Sequence, residues 1–186
     1  LFKKPGYKVM ESANLDTIIL ATANNYPDAL AIAPFAARQG TPILFTLGES
    51  LPHETKQALG TWGIRKVIIV GGTGVIAPSV EDEIKNNLGI NTERLAGPDR
   101  YETALVIARH FSPGDYRQVV VATGEGFADA LAGASFAAKN GCPVLLTGKT
   151  RMKQEVLKYI GGLGLGRVYI LGGEGAILDR VVNEVY

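Results

Sequence analysis

The sequence predicts an α/β protein built as two tandem, doubly wound modules with mainly parallel sheets. Three observations carry this. Short apolar runs, each closed by a turn signal, alternate with stretches of helical spacing. The apolar runs are nearly continuous, as in strands covered on both faces. The whole pattern occurs twice, about one hundred residues apart.

In the first copy, TIILATA (17–23) is a strand, and DALAIAPFAARQG (28–40) is an Ala-rich helix closed by a glycine fit for a left-handed cap. PILFT (42–46) is the second strand, LPHETKQALGTWG (51–63) the second helix, and KVIIVGG (66–72) the third strand. The second copy repeats the order: VVVATG (119–124), DALAGASFAAKNG (129–141), PVLLT (143–147), RMKQEVLKYIGGLG (151–164) and RVYILGG (167–173). Between 17–46 and 118–147 about half the positions are identical without a gap. Short connections between alternating strands and helices imply right-handed crossovers. The small residues Ala29, Ala33, Ala36 and Ala37, with Ala130, Ala134, Ala137 and Ala138, are expected to seat each Ala-rich helix on its own sheet, giving independent copies of one fold.

One stretch, RLAGPDRYETALVIA (94–108), occurs once. RLAG reads as a short strand, Pro98 to Arg100 as a turn, and Tyr101 to Phe111 as a helix with Leu105, Ala108 and Phe111 on one side. Lying between the copies, it either closes the first sheet or opens the second. The predicted modules are 1–93 and 94–186, the first lacking a matching leading segment.

With 46% hydrophobic and 20% charged residues the chain has a globular composition, and its formal charge of +1 offers no basic excess for nucleic acid. No apolar stretch approaches the about 18 residues a membrane helix needs, and LFKKPGYKVMES lacks the apolar core of a signal peptide. The one cysteine, Cys142, reads as a small buried hydrophobe.

Enzyme chemistry finds little footing. GGTGVIA (71–77) has the form of a dinucleotide fingerprint, but it follows the third strand, and the second copy has Leu178 at the third small position. TGKT (147–150) ends like a phosphate loop, yet Pro143 stands where the first glycine is required. His53 and His110 have no counterparts in the other copy and read as surface residues; with Cys142 they make no zinc set, and neither a metal nor a cofactor is expected.

What both copies keep at a loop is Asp28 with Asp129, opening the Ala-rich helix, and Thr46 with Thr147, ending the second strand. In a parallel sheet these fall at the carboxyl edge, where ligands sit; equally, an acid suits the first helical turn and a threonine satisfies a nearby amide. Asp99, Arg100, Tyr101 and Glu102 present a guanidinium to an anion or a neighbouring module, or close a local salt bridge.

RLAGPDRYETA, ATGEGFADALAG, AAKNGCPVLLT and VYILGGEGAI, in that order, resemble the cell-wall-binding type 2 repeat of Gram-positive surface proteins. The resemblance implies flavodoxin-like or Rossmann-like modules, as a rule three in tandem, attaching a secreted protein non-covalently to the wall by an anionic secondary polymer, teichoic-acid-like or phosphate-bearing. It implies no catalysis by the modules, a cell-surface location, and a third repeat or a homo-oligomer as neighbour. The family's Pro-Ile-Leu-Leu segment corresponds to Pro42–Phe45 and Pro143–Leu146, each departing at one residue, and is expected to position the strand ends at Thr46 and Thr147. The candidate polymer contacts are Asp28, Thr46, Asp99, Arg100, Tyr101, Asp129, Thr147, Lys149 and Arg151. The alternative is a doubly wound enzyme using a nucleotide or small substrate.

Overall fold

The computed structural model describes residues 15–111 and 116–185, so the opening LFKKPGYKVMES lies outside the described residues. In chain order the elements are β1 (Thr17–Thr22), α1 (Pro27–Gln39), β2 (Ile43–Thr46), α2 (His53–Thr61), β3 (Lys66–Val70) and α3 (Pro78–Asp82), which runs on as a π-helical turn over Glu83–Asn87. Then follow β4 (Asn91–Leu95), α4 (Arg100–Phe111), β5 (Gln118–Thr123), α5 (Phe127–Asn140), β6 (Val144–Thr147), α6 (Gln154–Gly162), β7 (Arg167–Leu171) and α7 (Asp179–Asn183). Strands are all parallel, in a four-stranded sheet ordered β2-β1-β3-β4 and a three-stranded sheet ordered β6-β5-β7.

Alternation along each strand explains the continuous apolar runs. Ile18, Leu20, Val67 and Ile69 point into a core under α2 and α3, while Ile19, Ile68 and Val70 point to the opposite face. In the second sheet Val119, Val121 and Leu145 face the α6–α7 side, and Val120, Ala122, Val144 and Leu146 face the other. The Ala-rich helices end as the sequence indicates, at Gly40 (φ 65°) and Gly141 (φ 67°), whose amides donate to Ala36 O and Ala137 O.

The two inner faces share one core, so the modules are not independent. α1 packs along α5, and Ile32, Phe35, Ala130, Ala134 and Ala137 belong to a single buried cluster that also takes in Ile107 and Val120. The small residues therefore serve helix-on-helix packing as well as helix-on-sheet. Ala36, Ala130, Ala134 and Ala137 are buried, but Ala29, Ala33 and Ala138 are half-buried and Ala37 is exposed. Contact with the second sheet is made through Gly133, where a Cβ would lie 2.8 Å from Leu171 and 3.0 Å from Val120.

The unrepeated stretch closes the first sheet. β4 begins at Asn91, earlier than RLAG indicates, and pairs along β3 from Lys66↔Asn91 to Val70↔Leu95, so the boundary drawn at 93/94 falls inside a strand of the first sheet. α4 then packs on α1 and β6 and reaches α6. Leu105 and Ala108 enter the outer core of the second module, whereas Phe111 turns the other way and stacks on Phe35 with ring centroids 4.8 Å apart.

Candidate functional site: the carboxyl edges of the two sheets

Right-handed crossovers put the loops after β1, β2 and β3 at one edge of the first sheet, and those after β5, β6 and β7 at the matching edge of the second. Each edge carries a cleft. One, of about 600 Å³, is lined by Asn24, Asn25, Leu47, Ser50 and Thr73 among others; its counterpart, of about 420 Å³, is lined by Glu125, Phe127, Asp129, Lys149 and Ala176 among others. A third cleft, of about 450 Å³, lies between Tyr101, Gly148, Arg151 and Lys153.

The loops are tied alike in both modules. Ala23 and Gly124 amides donate to Thr46 O and Thr147 O at 2.8 Å. Thr46 and Thr147 are fully buried, and their hydroxyls donate to Ser50 O (2.9 Å) and Arg151 O (3.4 Å) within their own loops. These threonines shape the loop from inside. The next tie has the same place and opposite polarity: Asn24 Nδ2 donates to Leu47 O at 2.9 Å, while Glu125 Oε1 accepts from the Lys149 amide at 3.1 Å.

Asp28 and Asp129 explain the glycines of the fingerprint-like motif. Gly71 (φ 116°) and Gly172 (φ 113°) need the left-handed region, and a Cβ on either would lie 2.8 Å from the Oδ2 of Asp28 or Asp129. Each carboxylate thus occupies the space that its glycine leaves. The helix after the motif starts only at Pro78, too far from Gly71 for the dinucleotide arrangement, in which a glycine turn opens the helix directly. Burial raises the Asp28 carboxyl above its ordinary range, against the pull of the Arg100 guanidinium.

The cluster at the start of α4 is divided between the modules. Asp99 caps the helix, its Oδ1 accepting from the Tyr101 and Glu102 amides at 3.0 Å. Its other oxygen pairs with Lys153 at 2.6 Å, and Lys153 also meets Glu102 at 3.0 Å. Burial pushes Asp99 up, but Lys153 and the two amides outweigh it and the carboxyl is held below its usual range; hydrogen bonds from Asp99 and Glu102 raise Lys153. Arg100 makes no salt bridge with Asp99 or Glu102. It donates to Gly124 O at 2.5 Å, so a residue following the first sheet latches the β5–α5 loop of the second module. Gly124 makes room for this, since a Cβ there would lie 2.8 Å from the Tyr101 ring and 3.1 Å from Arg100 Cδ.

Lys149 and Arg151, by contrast, make no side-chain hydrogen bond or ion pair among the described residues. They stand at the carboxyl edge of the second sheet, Lys149 on one cleft and Arg151 on the other. His53 is exposed at the start of α2, and His110 sits on α4 with Nδ1 3.4 Å from Glu93. Sequence reasoning missed Arg94, whose Nη1 donates to Gly71 O (2.8 Å) and Ile76 O (3.1 Å) and whose Nε donates to Glu81 Oε2 (3.0 Å), clamping the loop after β3. It was hidden because the second copy has no counterpart to compare. Among the described residues, no group of three or more His, Cys, Asp or Glu is placed to hold a metal, and no helix is long and apolar enough to cross a membrane.

The sequence profile of the Cell wall binding domain 2 (CWB2) family matches residues 6–81 and 94–182. The chain belongs to this family. It is 36% identical over 169 residues to the N-acetylmuramoyl-L-alanine amidase LytC of Bacillus subtilis (strain 168), covering 91% of this chain and 34% of that protein. It is 31% identical over 172 residues to the amidase enhancer of the same strain, covering 92% of this chain and 23% of the relative. Among solved structures it superposes on Cwp6 from Clostridium difficile with a TM-score of 0.83 at 26% identity, covering 91% of this chain and 27% of that one, and on Cwp8 from the same species with 0.79 at 30%, covering 92% and 29%. The chain thus spans about a third or less of each. CWB2 membership makes wall attachment the function of this region and the cell wall or cell surface its place of work.

Proposed function

We propose that the chain is a non-catalytic attachment region of a secreted bacterial surface protein, and that the carboxyl-edge loops of its two modules hold an anionic secondary wall polymer. The observation that carries the polymer's charge is the pair of unpaired cations, Lys149 and Arg151, at clefts of a protein whose net charge of +1 provides no bulk attraction. Asp99 supports the site indirectly, by holding Lys153 at the end of the loop on which both cations stand, and Arg100 by latching the neighbouring β5–α5 loop. Sedimentation with purified Bacillus subtilis walls tests the reading: the chain is expected to pellet with intact walls and to stay in solution after the anionic polymers have been chemically removed. Equal pelleting with stripped walls would defeat it.

We infer also that the second module takes a partner. Among the described residues β7 has no strand on its outer side, and beside it α5 exposes Phe127 (59%), Leu131 (53%) and Phe136 (37%). In the first module the matching places are filled by β4 and α4. A further unit bringing its own strand and helix is the neighbour that fits, either a third repeat or a second copy. Sedimentation equilibrium distinguishes them: self-association abolished by Leu131→Glu indicates a copy, and a monomer at all concentrations leaves the edge for a third repeat.

A further inference from the structure

The carboxyl edge of the second module carries charges of both signs that the first module lacks. Glu125, Lys149, Arg151 and Glu174 stand where the first copy has Asn24, Gly48, Ser50 and Thr73. Among the described residues none of these four makes an ion pair. Two of them line the cleft of about 420 Å³, where Lys149 is the one cation and Glu125 and Asp129 are the acids among the described residues. Asp129 is packed against Gly172, whose Cβ would lie 2.8 Å from its Oδ2. Glu125 is exposed and is held in place by its Oε1, which accepts from the Lys149 amide at 3.1 Å, so its Oε2 has no partner among the described residues. The Lys149 backbone thus anchors the Glu125 carboxylate, yet the two charged ends do not pair. A group of negative charge alone would be drawn to Lys149 and repelled by Glu125 and Asp129 in the same space. A group with an ammonium beside its anion would meet opposite charge at both ends.

We infer that this cleft takes a zwitterionic unit of the wall polymer, with the anionic group on Lys149 and a neighbouring ammonium on the free oxygen of Glu125. This rests on the wall-binding reading above and narrows it. The polymer is anionic along its chain, and the units bound here carry an amino substituent.

Acetic anhydride separates this from attraction to an anion alone, because it turns wall amines into neutral amides and leaves phosphates and carboxylates charged. Binding of the full chain to purified Bacillus subtilis walls is measured before and after acetylation. The unaltered chain is compared with Glu125→Gln, which keeps the oxygen that accepts from the Lys149 amide, and thermal unfolding is the control for folding. Acetylation is expected to weaken binding of the unaltered chain roughly two- to fivefold, the size of one solvent-exposed ion pair. Glu125→Gln is expected to weaken binding to untreated walls by a similar factor and to be indifferent to acetylation. Attraction to an anion alone predicts the opposite sign in both arms: acetylated walls are more negative, and Glu125→Gln removes a repelling charge, so either change tightens binding. Tighter or unchanged binding in either arm, or losses that add when the two are combined, would overturn the inference. If Glu125→Gln does not fold, acetylation alone decides by its sign. Anionic polymer released from the walls, acetylated or not, then competes with them for the unaltered chain. Acetylation is expected to lower its potency; equal potency would place the ammonium on the wall peptides and overturn the assignment to the polymer. An unaltered chain that does not sediment with untreated walls would be a failure of the wall-binding reading, before this inference is reached.

Discussion

Among the described residues the first sheet carries a fourth strand and the second does not. β3 and β7 are equivalent strands, KVIIV and RVYIL, yet β3 is buried along four of its five residues and β7 along none. The difference lies outside the repeat: β4 and α4 cover the first sheet's edge, and nothing among the described residues covers the second. Local sequence thus decides that a strand forms, while its burial is decided by what the chain lays beside it. A repeat unit of this kind cannot bury its own face and borrows a strand and helix from the segment that follows it.

The sharpest way to break this comparison is to delete the same side chain in both copies. Phe35 (4% exposed) is stacked on Phe111, and its counterpart Phe136 (37% exposed) touches Tyr169 edge-on. Phe35→Ala is expected to cost about 3–5 kcal/mol and Phe136→Ala well under half of that, measured by urea denaturation. Equal losses would mean that the second module is covered after all.

Next in size is Gly97, on the turn between β4 and α4. A Cβ there would lie 2.5 Å from the backbone carbon of Glu102 and 2.7 Å from the Thr103 amide, so no side-chain rotation relieves it. Gly97→Ala is expected to displace the start of α4 and loosen the Arg100 latch, a loss at the upper end of the about 1–3 kcal/mol typical of overpacking. An unchanged melting temperature would show that α4 is not fixed by this turn.

Arg94 comes third, at about 2 kcal/mol for removing hydrogen bonds from a charged donor to the loop after β3. Its partner Glu81 is held down to about 2, first by the hydrogen bond from Lys85 and then by those from Thr92 and Arg94, against the effect of burial. A carboxyl depressed by folding adds stability that is present above its unfolded value of 4.5 and is lost as pH falls from there toward 2. The second module has Val182 in this place. The share of acid softening that comes from this group is therefore expected in the first module and has no counterpart in the second, and Arg94→Met is expected to weaken the dependence, as followed by unfolding at stepped pH.

Much of this was legible in the sequence. The repeat, the parallel strands, the left-handed glycine caps and the turn before α4 all follow from residue patterns that need only near neighbours. The shared core was not, because an Ala-rich face reads the same whether it meets a sheet or another helix. Nor was the start of β4, since Asn91, Thr92 and Glu93 are polar on an outer strand and carry no apolar pattern. At the site, the matched aspartates and threonines were visible, but their partners were not: only the structure shows the threonines turned inward, Asp99 capping a helix and Arg100 crossing to the other module.

The smallest expected effect is at Asp28. Folding raises its pKa, so the ionised group opposes folding once the pH exceeds its ordinary range, and the opposition is removed by an amide. Asp28→Asn is expected to leave stability at neutral pH equal or raised by up to about 1 kcal/mol, with wall binding retained. A folded variant that no longer pellets with walls would make the carboxylate itself part of the polymer site.

Amide hydrogen exchange on the dilute chain compares the two edges residue by residue. The Gly71 amide donates to Leu95 O at 2.9 Å, and strand alternation turns the amides of Val67 and Ile69 to the same side, toward β4. Their equivalents Val168, Ile170 and Gly172 face the open side of β7. Strong protection is expected at Val67, Ile69 and Gly71 and fast exchange at Val168, Ile170 and Gly172. Equal protection in the two sets would contradict this, because the second sheet would then already be closed.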